Sequence, residues 1–219
     1  MWSSEVPNMI ITGIWETLYM TLVSTLVGYV IGLPMGIILT VSDKDGIKPN
    51  AVLYKILDVI ANIVRSVPFI ILLVLLIPFT RLVVGKSYGS TATIVPLVIA
   101  AAPYIARMVE SSLKEVDAGV IEAARSMGAS NFTIITKVML VEARTSLLVG
   151  ATITLGTILG YSAMSGAVGG GGLGAIAIRY GYTRWQTDIM IVTVILLIIL
   201  FQIFQTVGMK LADKFDHRK

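Results

Sequence analysis

The chain has 219 residues, of which 56% are apolar and only 14% are charged. Charged residues make up about a quarter of an ordinary soluble domain, so the composition excludes a soluble domain of this length. The same figures exclude a disordered chain, and the lack of cysteine excludes a scaffold built on disulfides. The sequence therefore predicts an all-α integral membrane protein.

Stretches without any Asp, Glu, Lys or Arg predict about five membrane-spanning helices. A spanning helix needs about 20 mostly apolar residues, and four of the five stretches reach that length. The second has 15 residues, but Arg65 and Arg81 at its ends have side chains long enough to reach toward lipid headgroups. In chain order the stretches are Thr17–Ser42, Ser66–Thr80, Ser87–Ala106, Thr145–Ile178 and Ile189–Met209.

The helix bounds follow from these stretches and their flanking residues. The first helix should run from about Ile10 to Val41, with a kink at Gly32–Gly36, because Pro34 removes a backbone hydrogen bond. A charged segment of about residues 110–144 should lie in the cytoplasm, within a single membrane domain of residues 1–219. The other helices are predicted from about Leu53 onward and at Thr91–Met108, Leu147–Val168 and Ile189–Met209.

The distribution of basic residues predicts an outer amino terminus and an inner carboxyl terminus. With five spans in that orientation, 13 of the 17 basic residues lie in inner segments, as the positive-inside rule requires. The net charge of +4 is then a sign of topology, and no nucleic-acid partner is expected. The inner set is Lys44, Lys48, Lys55, Arg65, Arg107, Lys114, Arg125, Lys137, Arg144, Lys210, Lys214, Arg218 and Lys219.

Two motifs match nucleotide-binding patterns but lack the required context. Gly169–Gly174 fits G-x-G-x-x-G, which must follow a strand, whereas here a membrane helix precedes it. Residues 85–87 (Gly-Lys-Ser) resemble the end of a P-loop, but Thr80 stands where its first glycine is needed. His217 is the only histidine and cysteine is absent, so few side chains are suited to a metal or catalytic site. We expect no cofactor on this chain.

The inner segment carries signals for two short helices joined by a sharp turn. Asp117 can cap a helix that begins at Ala118, and Ser130 can cap a second one. Gly128 suits a left-handed helix end. These residues alone leave open whether the hairpin does more than connect two spans. The predicted apolar faces consist of Val120, Ile121, Ala124 and Met127 in the first helix and Phe132, Ile135, Val138 and Met139 in the second.

The same segment resembles the EAA loop of permeases from ATP-binding-cassette importers. That family pattern is Glu-Ala-Ala, three residues, Gly, nine residues, Ile, one residue and Leu-Pro. The chain departs from the family where proline is usual, at Asp117, Val141 and Thr145. The residues at the matching spacing are Glu122, Ala123, Ala124, Gly128, Val138 and Leu140.

Three longer segments are similar to the methionine-importing branch of these permeases. They are residues 65–74 (RSVPFIILLV), 102–110 (APYIARMVE) and 160–169 (GYSAMSGAVG). The resemblance extends over nearly all of the chain. It therefore implies methionine as the substrate, with another amino acid or small solute as the alternative.

The resemblance implies a type I importer permease in the bacterial cytoplasmic (inner) membrane. Such a permease is a homodimer, embedded in lipid, that works with two cytoplasmic ATPase subunits and a substrate-binding protein on the outer face. ATP would bind the ATPase subunits, so this chain would not itself be an enzyme. Glu122, Ala123, Ala124 and Gly128 would form the coupling helix that docks on the ATPase.

The fourth span holds the candidate lining and gate of the translocation pathway: Tyr161, Ser162, Met164 and Ser165. Small residues at these positions would equally allow close helix packing. The outer segment around Gly170–Trp185 is the candidate for contact with the binding protein. A passive channel or secondary carrier would need no ATPase, and a membrane enzyme would need clustered carboxylates or histidines.

Overall fold

The computed structural model describes residues 5–215, and all regular secondary structure within that range is helical, which confirms the predicted fold class. Arg218 and Lys219 of the predicted inner basic set, and His217, lie outside the described residues. The helices are α1 Val6–Ser42, α2 Ala51–Ser66, α3 Phe69–Leu75, α4 Ile77–Val84, α5 Ser90–Lys114, α6 Ala118–Ser126, α7 of residues 131–142, α8 Arg144–Ser165, α9 of residues 172–182 and α10 Thr187–Lys214. Two of them contain π-helical stretches, Ile134–Met139 in α7 and Ala177–Tyr182 in α9.

Four helical stretches are long and apolar enough to cross a membrane: Val6–Ser42, Ser90–Lys114, Arg144–Tyr182 and Thr187–Lys214. A fifth crossing results if the bent pair α2 and α3 is counted as one span. The predicted second span is therefore not one straight helix, since α2 and α3 meet at 102°. Val67 has an extended backbone between them (φ −81°, ψ 125°), which is the conformation that a following proline favours.

Helix α1 packs closely against α5 through glycines. A Cβ atom on Gly32 would lie 2.5 Å from the Ala102 carbonyl oxygen, and one on Gly36 would lie 2.6 Å from that of Ala106. Small residues at this four-residue spacing let two membrane helices approach backbone to backbone. Helix α1 continues without interruption through Pro34 to Ser42. Gly32 and Gly36, which flank Pro34 in the predicted kink region, belong to the surface that packs on α5.

The glycine-rich residues 169–174 turn the chain back from α8 into α9, against the amino-terminal part of α1. The Glu16 carboxylate accepts a hydrogen bond from the Gly172 amide at 2.6 Å, and the Thr17 hydroxyl accepts one from the Leu173 amide at 2.9 Å. Gly172 has φ +76°, and a Cβ there would lie 2.5 Å from the Thr17 hydroxyl oxygen. The glycines that match a dinucleotide motif thus serve close packing against α1. The Gly172 and Leu173 amides are already hydrogen-bonded to α1.

Candidate coupling site and translocation pathway

The hairpin of α6 and α7 forms where the sequence predicts it. The Asp117 carboxylate accepts a hydrogen bond from the Gly119 amide at 2.7 Å, and the Ser130 hydroxyl accepts one from the Thr133 amide at 3.2 Å. These are N-caps, which satisfy backbone donors that a helix start leaves free. Gly128 lies between the two caps with φ +80°, in the left-handed region that favours glycine.

The predicted apolar faces of the hairpin are only partly correct. Ala124 is buried and Ile121 is half-buried, but Met127 is 82% exposed and Phe132 is 76% exposed. Ile134 is fully buried in place of Phe132. From Ile134 to Met139, α7 is π-helical, and its five-residue hydrogen-bond spacing changes which of these later side chains share a face.

The exposed apolar side chains lie around Gly128. We call Ala123, Met127, Gly128 and Phe132 the coupling surface; all four are exposed. A Cβ atom on Gly128 would meet nothing within 4 Å, so the space beside it is open. Large apolar side chains exposed next to charged residues, outside the apolar spans, are typical of a protein-binding surface.

The hairpin is tied to the loop that follows α1. The Arg125 guanidinium donates a hydrogen bond of 2.7 Å to the Ile47 carbonyl oxygen. A cavity of about 480 Å³ lies between the two segments, and its lining includes Asp43, Lys114 and Glu122. Glu122 is exposed, and its side chain has no ion pair among residues 5–215. The sequence singled out Glu122 but not Arg125, whose partner is a distant backbone oxygen that no local pattern reveals.

An ionic cluster joins the carboxyl-terminal ends of α1 and α5 to α2. We call Asp43, Asp58, Arg107, Glu110 and Lys114 the ionic cluster. Glu110 is at its centre and only 5% exposed; its carboxylate contacts Arg107 at 2.7 Å and Lys114 at 2.8 Å. Lys114 also contacts Asp43 at 2.6 Å, and Arg107 pairs with Asp58. Every charge in the cluster therefore has an opposite partner, as buried charges require.

The cluster fixes the ionisation of Asp43 at the end of α1. The hydrogen bond from Lys114 holds the pKa of Asp43 below its usual range. A carboxyl with a depressed pKa in the folded state contributes stability at neutral pH, and this contribution is lost as the pH falls through that pKa. The contact between α1 and α5 is thus fully charged at physiological pH.

Helix α8 presents two of the predicted pathway residues on accessible surface. The Tyr161 ring stacks on Phe69 of α3, with ring centroids 4.4 Å apart and planes 3° from parallel. Met164, one turn further along α8, is 51% exposed. Tyr161 is thereby fixed in orientation, while the flexible Met164 thioether is free to change rotamer.

Ser162 and Ser165 are placed differently from Tyr161 and Met164. Both are buried, and their hydroxyls donate to carbonyl oxygens of their own helix, Ser162 to Leu159 at 2.7 Å and Ser165 to Ser162 at 2.6 Å. The Ser165 carbonyl in turn accepts from the Gly170 amide at 2.9 Å. Neither serine faces an open passage within this protomer.

An all-helical fold with four or five candidate membrane spans, and with an exposed hairpin hydrogen-bonded to the loop after α1, fits a membrane transport subunit. The family model for the inner membrane component of binding-protein-dependent transport systems matches residues 28–218, and the chain belongs to this family.

Similar proteins extend the comparison over nearly the whole chain. The probable D-methionine transport system permease protein MetI of Vibrio cholerae is 49% identical over 217 residues, covering 99% of this chain and 96% of the relative. The D-methionine transport system permease protein MetI of Escherichia coli K12 is 52% identical over 158 residues, covering 72% and 73%. A crystal structure titled as an inward-facing conformation of the MetNI methionine ABC transporter matches with a TM-score of 0.97 and 49% identity, covering 99% of this chain and 100% of the other.

Proposed function

We propose that this chain is the membrane permease subunit of an ATP-driven methionine importer. It acts as a homodimer with separate ATPase subunits and receives its substrate from an external binding protein. The observation that carries this function is the 49% identity to a methionine transporter chain of the same fold over its entire length. ATP hydrolysis belongs to the partner ATPase, and this chain is a transport subunit of the bacterial inner membrane.

The coupling helix in this proposal is α6, with Glu122, Ala123, Ala124 and Gly128. The coupling surface docks on the ATPase, and closure of the ATPase moves the hairpin as a rigid lever. The Arg125 bond to Ile47 transmits this movement to the end of α1. Ala124, which is buried, attaches the lever to the rest of the subunit.

The proposal includes one permease domain of residues 1–219 with the hairpin on the cytoplasmic side. Support for this orientation comes from the basic residues gathered at the hairpin end of the spans, among them Lys44, Lys48 and Lys114, as the positive-inside rule requires. The amino terminus is then outside and the carboxyl terminus inside. The turn formed by residues 169–174 is on the outer side, where the binding protein docks.

The gate in this proposal is formed by α8. Tyr161 and Met164 line the pathway, and Ser162 and Ser165 support them by bonding within the helix behind. An unbranched thioether such as that of Met164 can close a narrow passage and withdraw by a rotamer change.

Reconstitution tests this function. The chain is co-expressed with the ATPase encoded beside it, purified as a complex and placed in proteoliposomes with loaded binding protein. We expect radiolabelled methionine uptake that requires hydrolysable ATP and the binding protein. Uptake driven by an ion gradient without ATP would indicate a secondary carrier. ATP-dependent uptake of a different solute, without uptake of methionine, would support an ATP-driven importer but refute methionine as its substrate.

A further inference from the structure

Arg65, at the end of α2, is a charged residue without a partner among the described residues, and it lies level with the middle of α5. It borders a cavity that also contacts Ala100 and Tyr104, which lie on either side of the middle of the 25-residue helix α5. Among residues 5–215, its guanidinium has neither an ion pair nor a hydrogen bond. The neighbouring carboxylate of its own helix, Asp58, is already paired with Arg107.

The sequence places Arg65 at the inner end of a span, within reach of the headgroups, but its position beside the middle of α5 does not fit that expectation. Side chains at the ends of a span reach the headgroups, but a residue level with the middle of α5 is too deep for this. An intramembrane charge almost always faces a partner or a water-filled cavity that carries substrate. Arg65 is exposed, and the adjoining cavity has a volume of about 160 Å³. The geometry therefore calls for an anionic group that arrives from outside this chain.

The other walls of the cavity are aromatic and apolar. Phe69 and Tyr161 contribute their stacked rings, and Val64 and Leu72 add aliphatic surface. Pockets for drug-sized ligands have volumes of about 300–1,000 Å³, so this one fits a much smaller solute. A single amino acid meets all the requirements. Its carboxylate suits the two-pronged guanidinium, and a thioether side chain makes favourable contacts with aromatic rings.

We propose that Arg65, Tyr104 and the Phe69–Tyr161 pair form an amino-acid subsite within the membrane, where Arg65 holds the α-carboxylate of the substrate in transit. The Tyr104 hydroxyl can donate a second hydrogen bond to the same carboxylate. This inference rests on the proposed function and adds a second point of selection, inside the permease, after the binding protein. The subsite would not hold a solute that lacks a carboxylate, even when the ATPase is active.

Uptake measured beside ATP hydrolysis tests the role of Arg65. In proteoliposomes that contain the complete transporter, Arg65→Gln should lower methionine uptake at least tenfold, while ATP hydrolysis stimulated by loaded binding protein changes less than twofold. Arg65→Lys should recover part of the uptake, because lysine keeps the positive charge but lacks the two-pronged guanidinium. Lys55→Gln is the matched control: it removes an exposed positive charge from the same helix, away from this cavity. It should behave as wild type.

Direct binding tests the chemistry of recognition. The purified permease–ATPase complex, without binding protein, is equilibrated with radiolabelled L-methionine. Saturable binding should appear in the wild type, disappear in Arg65→Gln, and be competed by unlabelled L-methionine but not by L-methioninol, which lacks the carboxylate. Equal competition by L-methioninol, or no saturable binding, would overturn the subsite.

The outcomes also separate this inference from the proposed function. Normal uptake by Arg65→Gln, in a wild-type background that imports methionine, would refute only the subsite. A parallel loss of uptake and ATP hydrolysis would show that Arg65 is structural, which also refutes it. If the wild-type complex imports no amino acid at all, the proposed function itself fails.

Discussion

Substitutions at Gly128 test whether the hairpin is the coupling element, because the structure separates folding effects from docking effects there. Gly128 has φ +80°, which other residues adopt at a cost of about 1–2 kcal/mol. A new side chain would meet nothing within 4 Å in the free subunit. The penalty for the isolated permease is therefore limited to this backbone strain, and its membrane abundance should stay close to that of the wild type.

Docking of the ATPase should be far more sensitive to substitution of Gly128 than folding of the permease. Gly128→Asp places a side chain and a negative charge at the centre of the coupling surface, between Met127 and Phe132. Asn has the same shape, tolerates the left-handed conformation similarly and carries no charge, so Gly128→Asn is the matched control. We expect Gly128→Asp to abolish methionine-dependent growth and ATPase co-purification, with an intermediate loss for Gly128→Asn.

The order of effects completes this test. Glu122→Ala should be milder than Gly128→Asp, because the Glu122 side chain is exposed and has no ion pair within the described range. Uptake, membrane abundance and ATPase co-purification are measured for all three variants. Normal uptake and normal ATPase binding by Gly128→Asp would show that the hairpin is not the coupling element.

Three further predictions concern the gate, the ionic cluster and the topology. Met164→Ala should raise substrate leak into ATP-free proteoliposomes severalfold, because it removes half-exposed bulk from the proposed gate while the ATPase stays bound. Glu110→Gln should lower the free energy of unfolding by about 1.5–3 kcal/mol, the usual value of a hydrogen bond to a charged group; the thermal midpoint of the detergent-purified complex reports this. Reporter fusions after Gly46 should report the cytoplasm, and fusions after Gly174 should report the outside.

Each of these predictions has a clear contrary result. Unchanged leak in Met164→Ala would leave that side chain a packing role only. A thermal midpoint of Glu110→Gln equal to that of the wild type would mean that the cluster does not hold the inner ends of α1, α2 and α5 together. Reporters with the reverse pattern would invert the proposed topology.

Much of the fold could be predicted because its causes are local. The spans are continuous apolar runs, and the hairpin has its caps at Asp117 and Ser130, where short polar side chains satisfy backbone donors. The apolar length of residues 66–80 does not reveal the break at Val67. The signal was present in the sequence, since the residue before a proline avoids the helical conformation.

The non-local contacts of the site could not be predicted. The pairs of Glu110 with Arg107 and with Lys114 have helical spacing and could have been found. The pair of Arg107 with Asp58 joins two helices, and the Arg125 bond ends on a backbone oxygen. The π-helical stretch Ile134–Met139 could not be predicted either, because five-residue hydrogen bonding has no sequence period as clear as that of an α-helix.

Helix α2 connects the coupling machinery with the proposed subsite. Its one fully buried residue is Ala61, and Val64 packs partly buried against the core. Asp58, paired with Arg107, anchors it to α5, and Arg65 follows Asp58 by seven residues, two turns along the same face or about 10 Å. Helix α2 is therefore held by an ion pair at one level and carries the charge of the proposed subsite at another. A movement of the hairpin that displaces Lys114 and Glu110 would reach Arg107 next, and through Asp58 it would shift Arg65 relative to Tyr104.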